Sequence, residues 1–220
     1  MANNKQYLTF LSALFLCMVT GIQAQYLSEQ PIREQLTGGG GEEKINCLSE
    51  NWQGMLAATG TASKGDNGGS DIYLLLTDKN LNSGRERHIG RSGDDGAYHI
   101  RQIPDGRWIV SGYSEKPAKK ARSQERYFGK RDGWVLLLDE SGRTEKEFIF
   151  GSPENDEFMG AFPMPDGSFI LTGTSGPAAW WMHLTAEGKV IQEKKWSYHD
   201  LPTRVLSAAT TPDGITMLTG

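Results

Sequence analysis

The sequence has few cysteines and histidines, and it lacks the motifs that mark common catalytic sites. Only Cys47 would remain after removal of an N-terminal signal, so no intramolecular disulfide can form in the mature chain. We expect Cys47 to pack as a small hydrophobic residue. No Gly-x-Ser-x-Gly elbow is present, and the four histidines lie in different repeats without metal-ligand spacing. We therefore predict no catalytic residues, no cofactor and no metal.

The sequence also lacks a large excess of charge of either sign. The chain has 23 basic and 27 acidic residues, which gives a formal net charge of −4. A nucleic-acid-binding domain normally carries a concentrated positive surface. We therefore predict that nucleic acid is not a partner of this protein.

The only long apolar run lies at the N-terminus. Lys5 is followed by an apolar run from Tyr7 to about Val19 and then by the small residue Ala24. This order is typical of a secretory signal peptide, which we assign to residues 1–24. It predicts a secreted, periplasmic or cell-surface protein without a membrane span after cleavage. A lipoprotein anchor at Cys17 is the alternative, disfavoured by the large leucine that precedes it.

Glycines recur with a fixed register along the rest of the chain. A first glycine is followed by a second sixteen residues later and a third six residues after that. The three complete copies are Gly38, Gly54, Gly60; Gly90, Gly106, Gly112; and Gly151, Gly167, Gly173; a fourth copy keeps only Gly214 and Gly220. Pro-Asp precedes the second glycine in three of the four copies, as expected of a hairpin turn. We predict that all of these glycines are structural turn residues.

Short apolar runs lie around these glycines and predict four antiparallel strands in each repeat. The predicted fourth strands are Arg85–Ile89, Thr144–Phe150 and Val190–Trp196. Repeats of this kind predict an all-β fold of β-propeller blades, with about three complete blades and part of a fourth. A β-sandwich is the alternative. The approximate repeats are 38–89, 90–150, 151–197 and an incomplete 198–220, and residues 31–36 are a possible ring-closing outer strand.

Two expectations concern the ends of these elements. The third strands are predicted to end in turns with a left-handed residue, Asn80, Gly142 or Gly188. Because the fourth repeat stops at its second strand, we expect the natural gene product to continue beyond Gly220.

The repeated Pro-Asp-Gly-x-Φ-Φ-Φ-x-Gly, in which Φ is apolar, is followed in the second repeat by Asp-Gly-Trp-Val-Leu-Leu-Leu-Asp-x-x-Gly (Asp132–Gly142). This pattern resembles secreted bacterial β-propeller repeat proteins, particularly those of Bacteroidetes, over residues 31–220. A second similarity, to quinoprotein propellers, rests on Leu184–Gly188 and Trp196. Such repeats imply the fold and leave the function open.

Three features suggest binding sites. The segment from Glu115 to Arg131 is strongly basic, and it suggests a contact with an acidic glycan or protein through Lys116, Lys119, Lys120 and Arg122. Adjacent tryptophans, Trp180 and Trp181, could stack on sugar rings. The acidic turns Glu42-Glu43, Asp94-Asp95 and Asn155-Asp156 provide oxygen atoms suited to calcium, but they lack the spacing of a calcium loop and are expected to be exposed turn caps.

These features favour a non-enzymatic extracellular domain that binds or scaffolds a protein or a glycan. The alternative is the propeller portion of a secreted carbohydrate-active or quinone-dependent enzyme whose chemistry lies outside this chain.

Overall fold

The structure is a computed structural model, and it describes residues 41–51, 53–63, 68–82, 84–116, 126–199, 201–210 and 216–220. The predicted signal peptide, the possible outer strand at residues 31–36, and Gly38 and Gly214 lie outside the described residues. In the described part of the compact unit Thr37–Gly220, every regular element is a β-strand. No helix in the described ranges has the length and apolarity of a membrane span.

Three four-stranded antiparallel sheets follow one another along the chain, and each is built from strands that are consecutive in sequence. Blade 1 contains β1 (Glu43–Glu50), β2 (Met55–Ala62), β3 (Asp71–Asp78) and β4 (Arg85–Ile89). Blade 2 contains β5 (Asp95–Gln102), β6 (Trp108–Glu115), β7 (Arg131–Leu138) and β8 (Thr144–Phe150). Blade 3 contains β9 (Asp156–Pro163), β10 (Phe169–Ser175), β11 (Ala178–Leu184) and β12 (Val190–Trp196). A two-stranded sheet of β13 (Ser207–Thr210) and β14 (Thr216–Thr219) follows.

This arrangement confirms the predicted all-β fold of propeller blades. The alternative β-sandwich is wrong, because a sandwich places strands from distant parts of the sequence in two facing sheets. Here each sheet closes locally, so hairpins make every pairing within a blade. The predicted bounds of all three outer strands agree with the structure.

The apolar core lies between neighbouring blades. Alternate residues of each third strand point to opposite sides of its sheet, so Leu74 of blade 1 packs toward blade 2 and joins Trp134 and Leu136 in one buried cluster. Val135, on the other side of blade 2, joins Trp180 of blade 3 in a second cluster. Burying a side chain of this size contributes roughly 1.5–3 kcal/mol, which explains how the blades associate without disulfides.

The predicted role of the glycines as turn residues is wrong for part of the register. Gly54, Gly106 and Gly167 occupy turns with φ of 78°, 97° and 84°. Gly60 and Gly112, in contrast, lie inside second strands, where an added Cβ would approach the carbonyl oxygen of Lys44 or Gly96 to 1.7 or 1.9 Å. Gly173, in β10, and Gly220, directly after β14, meet the same crowding, and Gly90 and Gly151 lie against the carboxylates of Asp71 and Asp132.

At Gly60, Gly112 and Gly173 the crowding has a common cause, which is a β-bulge in the first strand of the blade. The register shifts between Ile45 and Cys47 in blade 1 and between Ala97 and His99 in blade 2. A bulge places two residues opposite one and bends its strand toward the partner. The second strand then needs a glycine at the point of closest approach.

One predicted turn residue is misplaced. The left-handed residue after the third strand is Gly142 in blade 2 and Gly188 in blade 3, as predicted, but in blade 1 it is Leu81, with φ of 59°, and not Asn80. In each blade the amide of the left-handed residue donates to the carbonyl three residues earlier. The turn of blade 1 therefore has the same hydrogen bond with a residue that does not favour this conformation.

Two of the three acidic turns are buried rather than exposed at their second position, whereas Glu43 of the first turn is partly exposed. Asp95 and Asp156, at the starts of β5 and β9, have no solvent exposure. The Asp156 carboxylate accepts the backbone amide of Ser152 at 2.6 Å, and that of Asp95 accepts the amide of Arg91. Each carboxylate therefore closes the loop that enters its blade. Burial raises the pKa of Asp95 to about 7, and the neighbouring carboxylate of Asp71 adds to the effect.

Candidate functional site

The variable loops meet at one end of the blades. Because consecutive strands are antiparallel, the connections after β2, β4, β6 and β8 all lie at the same end of their sheets. The loop between β6 and β7, from Glu115 to Arg131, is the longest of them. Loops at one end of a rigid scaffold are the usual place for binding residues.

These loops enclose an open groove of about 910 Å³ between blades 1 and 2. Its described lining consists of residues 68–69, 92–94, 115–116, 128–130 and 153, and we call it the loop groove. Its volume is in the range of sites that hold small molecules or short polymer segments.

Close backbone contacts hold the walls of the loop groove in place. A Cβ added at Gly68 would lie 2.5 Å from the carbonyl oxygen of Ser92, and one added at Gly129 would lie 2.4 Å from that of Ser152. The amide of Gly69 also donates to the carbonyl of Gly93 at 3.0 Å. The loops of neighbouring blades therefore touch through their main chains, and the groove is formed before any ligand arrives.

The base of the long loop is fixed by an ion-pair network. Arg131 bonds Glu115 at 2.8 Å across the base of the loop, and it also bonds Glu157 of blade 3. The guanidinium of Arg131 lies 4.1 Å from the centre of the Tyr113 ring, a cation–π contact. Glu157 also accepts the hydroxyl of Tyr98 at 3.1 Å. Burial and the Glu157 carboxylate raise the pKa of Tyr98 above its ordinary range.

The charges of the loop groove divide into satisfied acids and exposed bases. Asp94 accepts the backbone amide and the hydroxyl of Ser70 at 2.8 and 3.3 Å. Glu115 is held by Arg131, as described above. Lys116 is exposed. The side chain of Lys130 is 74% exposed, and its Nζ lies 3.8 Å from Oε1 of Glu115, a longer contact than that of Arg131. The groove therefore presents ammonium groups outward, beside a Phe128 that is 55% exposed.

The structure separates the predicted binding residues. Lys116 lies in the loop groove, whereas Lys119, Lys120 and Arg122 lie outside the described residues. Trp180 is not a sugar-stacking residue, because it is 1% exposed and its ring stacks on Phe158 at 4.5 Å. Trp181 points to the opposite side of the same sheet, where it packs against Phe162, Ile170 and Ala208.

The two buried tryptophans of the third strands, Trp134 and Trp180, each bond a glutamate of the outer strand, a contact that the sequence analysis did not predict. The indole nitrogen of Trp134 donates to Glu147 at 3.1 Å, and that of Trp180 donates to Glu193 at 2.7 Å. A buried indole N–H needs an acceptor, and in each blade the outer strand supplies it thirteen residues later. Two copies of that spacing in the sequence are the signal that could have identified both indoles as core residues.

A serine–histidine contact in blade 3 does not have the arrangement of a nucleophile and its base. Ser168 Oγ donates to the Asp166 carboxylate at 2.6 Å, and it lies 2.8 Å from Nε2 of His183. The hydroxyl proton is therefore directed to the carboxylate rather than to the imidazole, and Ser168 is buried. In the ranges that the structure describes, no group of three or more potential metal-ligand side chains occurs.

A second cavity, of about 580 Å³, lies along the first strands of the blades and is lined in part by Cys47, His99 and Ser207. Burial lowers the pKa of His99 to about 4, so this imidazole is neutral at ordinary pH. Its Nδ1 accepts the amide of Ala161 at 3.4 Å. Cys47 packs against the core cluster of blades 1 and 2 as a partly buried residue.

Comparison with known proteins gives matches in structure only. No protein-family model matches the sequence, and no curated protein matches it. A protein of unknown function from Bacteroides caccae matches with a TM-score of 0.49 and 13% identity, covering 85% of this chain and 56% of that one. The β-propeller domain of the Trilobed protease from Pyrococcus furiosus gives a TM-score of 0.42 and 12% identity, covering 69% and 42%. Sqt1 from Chaetomium thermophilum gives 0.43 and 13%, covering 81% and 41%.

This chain therefore spans between two fifths and three fifths of the length of these structures. One of them is described as a β-propeller domain. At this level of identity the likeness concerns the fold alone, and the fold of this chain is established by its own sheets.

Proposed function

We propose that this chain is a non-enzymatic extracellular binding domain that holds an acidic ligand, a glycan or a polypeptide segment, in the loop groove. The observation that carries the proposal is the division of charge in the groove. Its two carboxylates, Asp94 and Glu115, are engaged by the protein itself, while Lys116 and Lys130 are exposed. Lys130 Nζ lies 3.8 Å from Glu115, but its side chain is 74% exposed, so an incoming anion can reach the ammonium groups of Lys116 and Lys130 from the solvent.

The preformed walls of the groove support the same function. Binding costs less when the site does not have to be ordered by its ligand, and main-chain contacts already fix Gly68 against Ser92 and Gly129 against Ser152. The exposed ring of Phe128 provides an apolar surface next to the cations. A uronic-acid ring or an acidic peptide with an apolar residue matches this combination.

The extracellular location is part of the proposal. It rests on the order of charge, apolar run and small residue in residues 1–24. It also rests on the resemblance of the repeats to secreted bacterial propellers. Mass spectrometry of the protein expressed with its own N-terminus tests it, because secretion predicts a mature chain that begins near Gln25.

Titration of the purified protein with polygalacturonate and with poly-glutamate tests the ligand. We expect saturable binding to at least one of them and none to neutral dextran. The Lys116→Glu, Lys130→Glu double variant should bind about tenfold more weakly, since two exposed charge contacts contribute together roughly 1.4 kcal/mol. The matched control is Lys146→Glu, Lys189→Glu, which makes the same change of net charge on the outer strand of blade 2 and beside that of blade 3.

The control separates a local site from general charge attraction. Equal weakening in both double variants would mean that only net charge matters, and it would contradict the groove as the site. Absence of binding to both acidic polymers would contradict the ligand class. The basic residues Lys119, Lys120 and Arg122 belong to the same proposal, and their charge reversal should weaken the same binding.

A further inference from the structure

The turn that carries Phe128 into the loop groove is fixed by buried charged residues. The amide of Phe128 donates to the buried carboxylate of Asp132 at 2.8 Å. The buried Arg91 donates to the carbonyl of Arg126 at 3.3 Å, and its guanidinium lies 4.8 Å from the centre of the Tyr127 ring. The ring of Phe128 nevertheless remains 55% exposed. A flat aromatic face is therefore presented to solvent on a backbone that a ligand does not have to order.

The surface around this ring is low and has few apolar side chains. Among the eleven described lining residues, four are glycines and only Phe128 and Pro153 have apolar side chains. A peptide is usually held through pockets for its side chains or through an open strand edge. A sugar ring instead needs one flat apolar contact for its C–H face and polar groups around its rim. The lining of the loop groove matches the second set of requirements.

The main chain of the groove walls offers little to a peptide backbone. The amide of Lys116 donates to the carbonyl of Lys130 at 2.6 Å, and the amide of Gly69 donates to the carbonyl of Gly93 at 3.0 Å. These groups bond each other across the connections that form the walls. An added peptide strand would have to compete with these bonds, whereas a ligand that binds through side chains would not.

The two exposed lysines of the groove lie opposite each other. The main-chain bond between Lys116 and Lys130 continues the pairing of β6 with β7 one step beyond Glu115 and Arg131. Like charges at directly opposed positions repel. Glu115 is bonded more closely to Arg131, at 2.8 Å, than to Lys130, at 3.8 Å. A ligand carboxylate at this position would relieve the repulsion between the two ammonium groups.

Asp94 adds an acceptor to the same groove. It is exposed, and its two bonds from Ser70 both end on Oδ1. No described residue donates to its other oxygen, Oδ2. A ligand that carries only anionic groups would be repelled by this carboxylate, whereas a ligand with a hydroxyl beside its anion can donate to it. A sugar acid has both groups on one ring.

We propose that the ligand of the loop groove is a uronic-acid glycan rather than an acidic polypeptide. This inference rests on the proposed function of the groove and names its ligand class. One sugar ring stacks on Phe128, the carboxylate of the bound segment lies near Lys116 and Lys130, and a ring hydroxyl donates to Asp94. The aromatic ring and the acceptor provide the selection against a polypeptide, and the lysines provide the selection against a neutral glycan.

Calorimetric titration of the full chain with short defined ligands tests the proposal. The acidic sugars are the hexasaccharides of galacturonate, of mannuronate and of hyaluronan, and the competitor is hexaglutamate. At least one of the sugars should bind tenfold more tightly than hexaglutamate and than its own carboxyl-reduced form. Phe128→Ala should weaken sugar binding about tenfold, as expected for a central aromatic contact, and Phe128→Tyr should retain it. Tyr198→Ala removes an aromatic residue that is 66% exposed and outside the loop groove, and it should have no effect.

Nuclear magnetic resonance of the bound sugar keeps the test valid if Phe128→Ala disturbs the turn. In the unchanged protein, the C–H protons of one sugar ring should shift upfield, because they lie over the face of an aromatic ring. Sugar binding without this shift, or with no loss in Phe128→Ala, would overturn the inference. Equally tight binding of hexaglutamate or of the carboxyl-reduced sugar would also overturn it.

Failure of this inference is distinguishable from failure of the proposed function. If hexaglutamate binds at least as tightly as every sugar and the Lys116→Glu, Lys130→Glu double variant weakens it, the groove holds an acidic ligand and the inference is wrong. If none of the acidic ligands binds, the proposed function is contradicted together with the inference.

Discussion

Replacement of Asp95 by asparagine should remove a defined part of the pH dependence of stability. The carboxylate of Asp95 is buried at the entry to blade 2 and accepts the amide of Arg91. Burial, with the Asp71 carboxylate nearby, raises its pKa from 3.8 to about 7, while Ser114 and the charge of Arg91 oppose the shift. An asparagine oxygen can accept the same amide, so the variant keeps the loop contact and loses the titration.

The direction of the effect follows from the raised pKa. The folded state holds this proton more tightly than the unfolded state, so the contribution of Asp95 to stability is complete below about pH 4. It is lost as the pH rises toward 7 and does not change further above that value. A shift of this size corresponds to about 4 kcal/mol at most, from 1.36 kcal/mol for each pKa unit. Asp95→Asn should therefore gain up to that amount relative to the unchanged protein between pH 4 and pH 8.

Urea unfolding at half-unit pH steps measures this difference, provided that each curve shows a single transition. Asp105→Asn is a control of opposite sign. Arg107 lowers the pKa of this exposed carboxyl, so its contribution is present at neutral pH and is lost as the pH falls through the folded value. A free-energy difference between Asp95→Asn and the unchanged protein that stays constant from pH 4 to pH 8 would refute the reasoning.

Four further substitutions test the packing of the blades and the base of the long loop. Gly112→Ala should destabilise the chain by at least about 3 kcal/mol, because the added Cβ would lie 1.9 Å from a backbone oxygen. Gly167→Ala should cost only about 1–2 kcal/mol, because no atom lies within 4 Å and only the φ of 84° is unfavourable. Equal losses of stability in thermal unfolding would contradict the bulge as the cause of the crowding. Trp180→Ala should cost about 3–5 kcal/mol in urea unfolding, and a loss below 1 kcal/mol would contradict its burial between blades. Glu115→Gln should speed proteolysis within residues 116–130, since Arg131 loses its partner across the loop base; an unchanged cleavage rate would remove that role.

The strand pattern could be predicted from the sequence because local signals bound every strand. Pro-Asp-Gly turns set the first hairpin of most blades, and alternating charge identified the outer strands, so Arg85–Ile89 and Val190–Trp196 have their predicted bounds. The sheet order followed, since each strand pairs with its neighbour in sequence.

Features that depend on contacts between blades could not be predicted in the same way. Trp180 and Trp181 are adjacent in an apolar strand, and composition alone does not tell which one faces a complete blade. The glycine at 112 has the same sequence signature as a turn glycine, although a bulge in another strand requires it. Asp95 was expected on the surface because a carboxylate normally is. Its burial depends on a loop closed by its own hydrogen bond.

The loop groove was only partly foreseen. The basic loop suggested Lys116, but the groove also depends on Gly68 and Ser92, which lie in separate loops of the sequence and meet through their main chains. The satisfaction of Asp94 by Ser70 likewise joins residues from two connections. A single sequence contains no local signal for either contact.

Hydrogen exchange of the whole chain with and without saturating acidic polymer tests the central claim, the loop groove as the binding site, most directly. The account predicts slowed exchange at residues 68–70, 92–95 and 126–131, with no change at the opposite turns around 104–107 and 165–168. Protection confined to those opposite turns, or no protection anywhere at saturation, would contradict the assignment of the ligand to this groove.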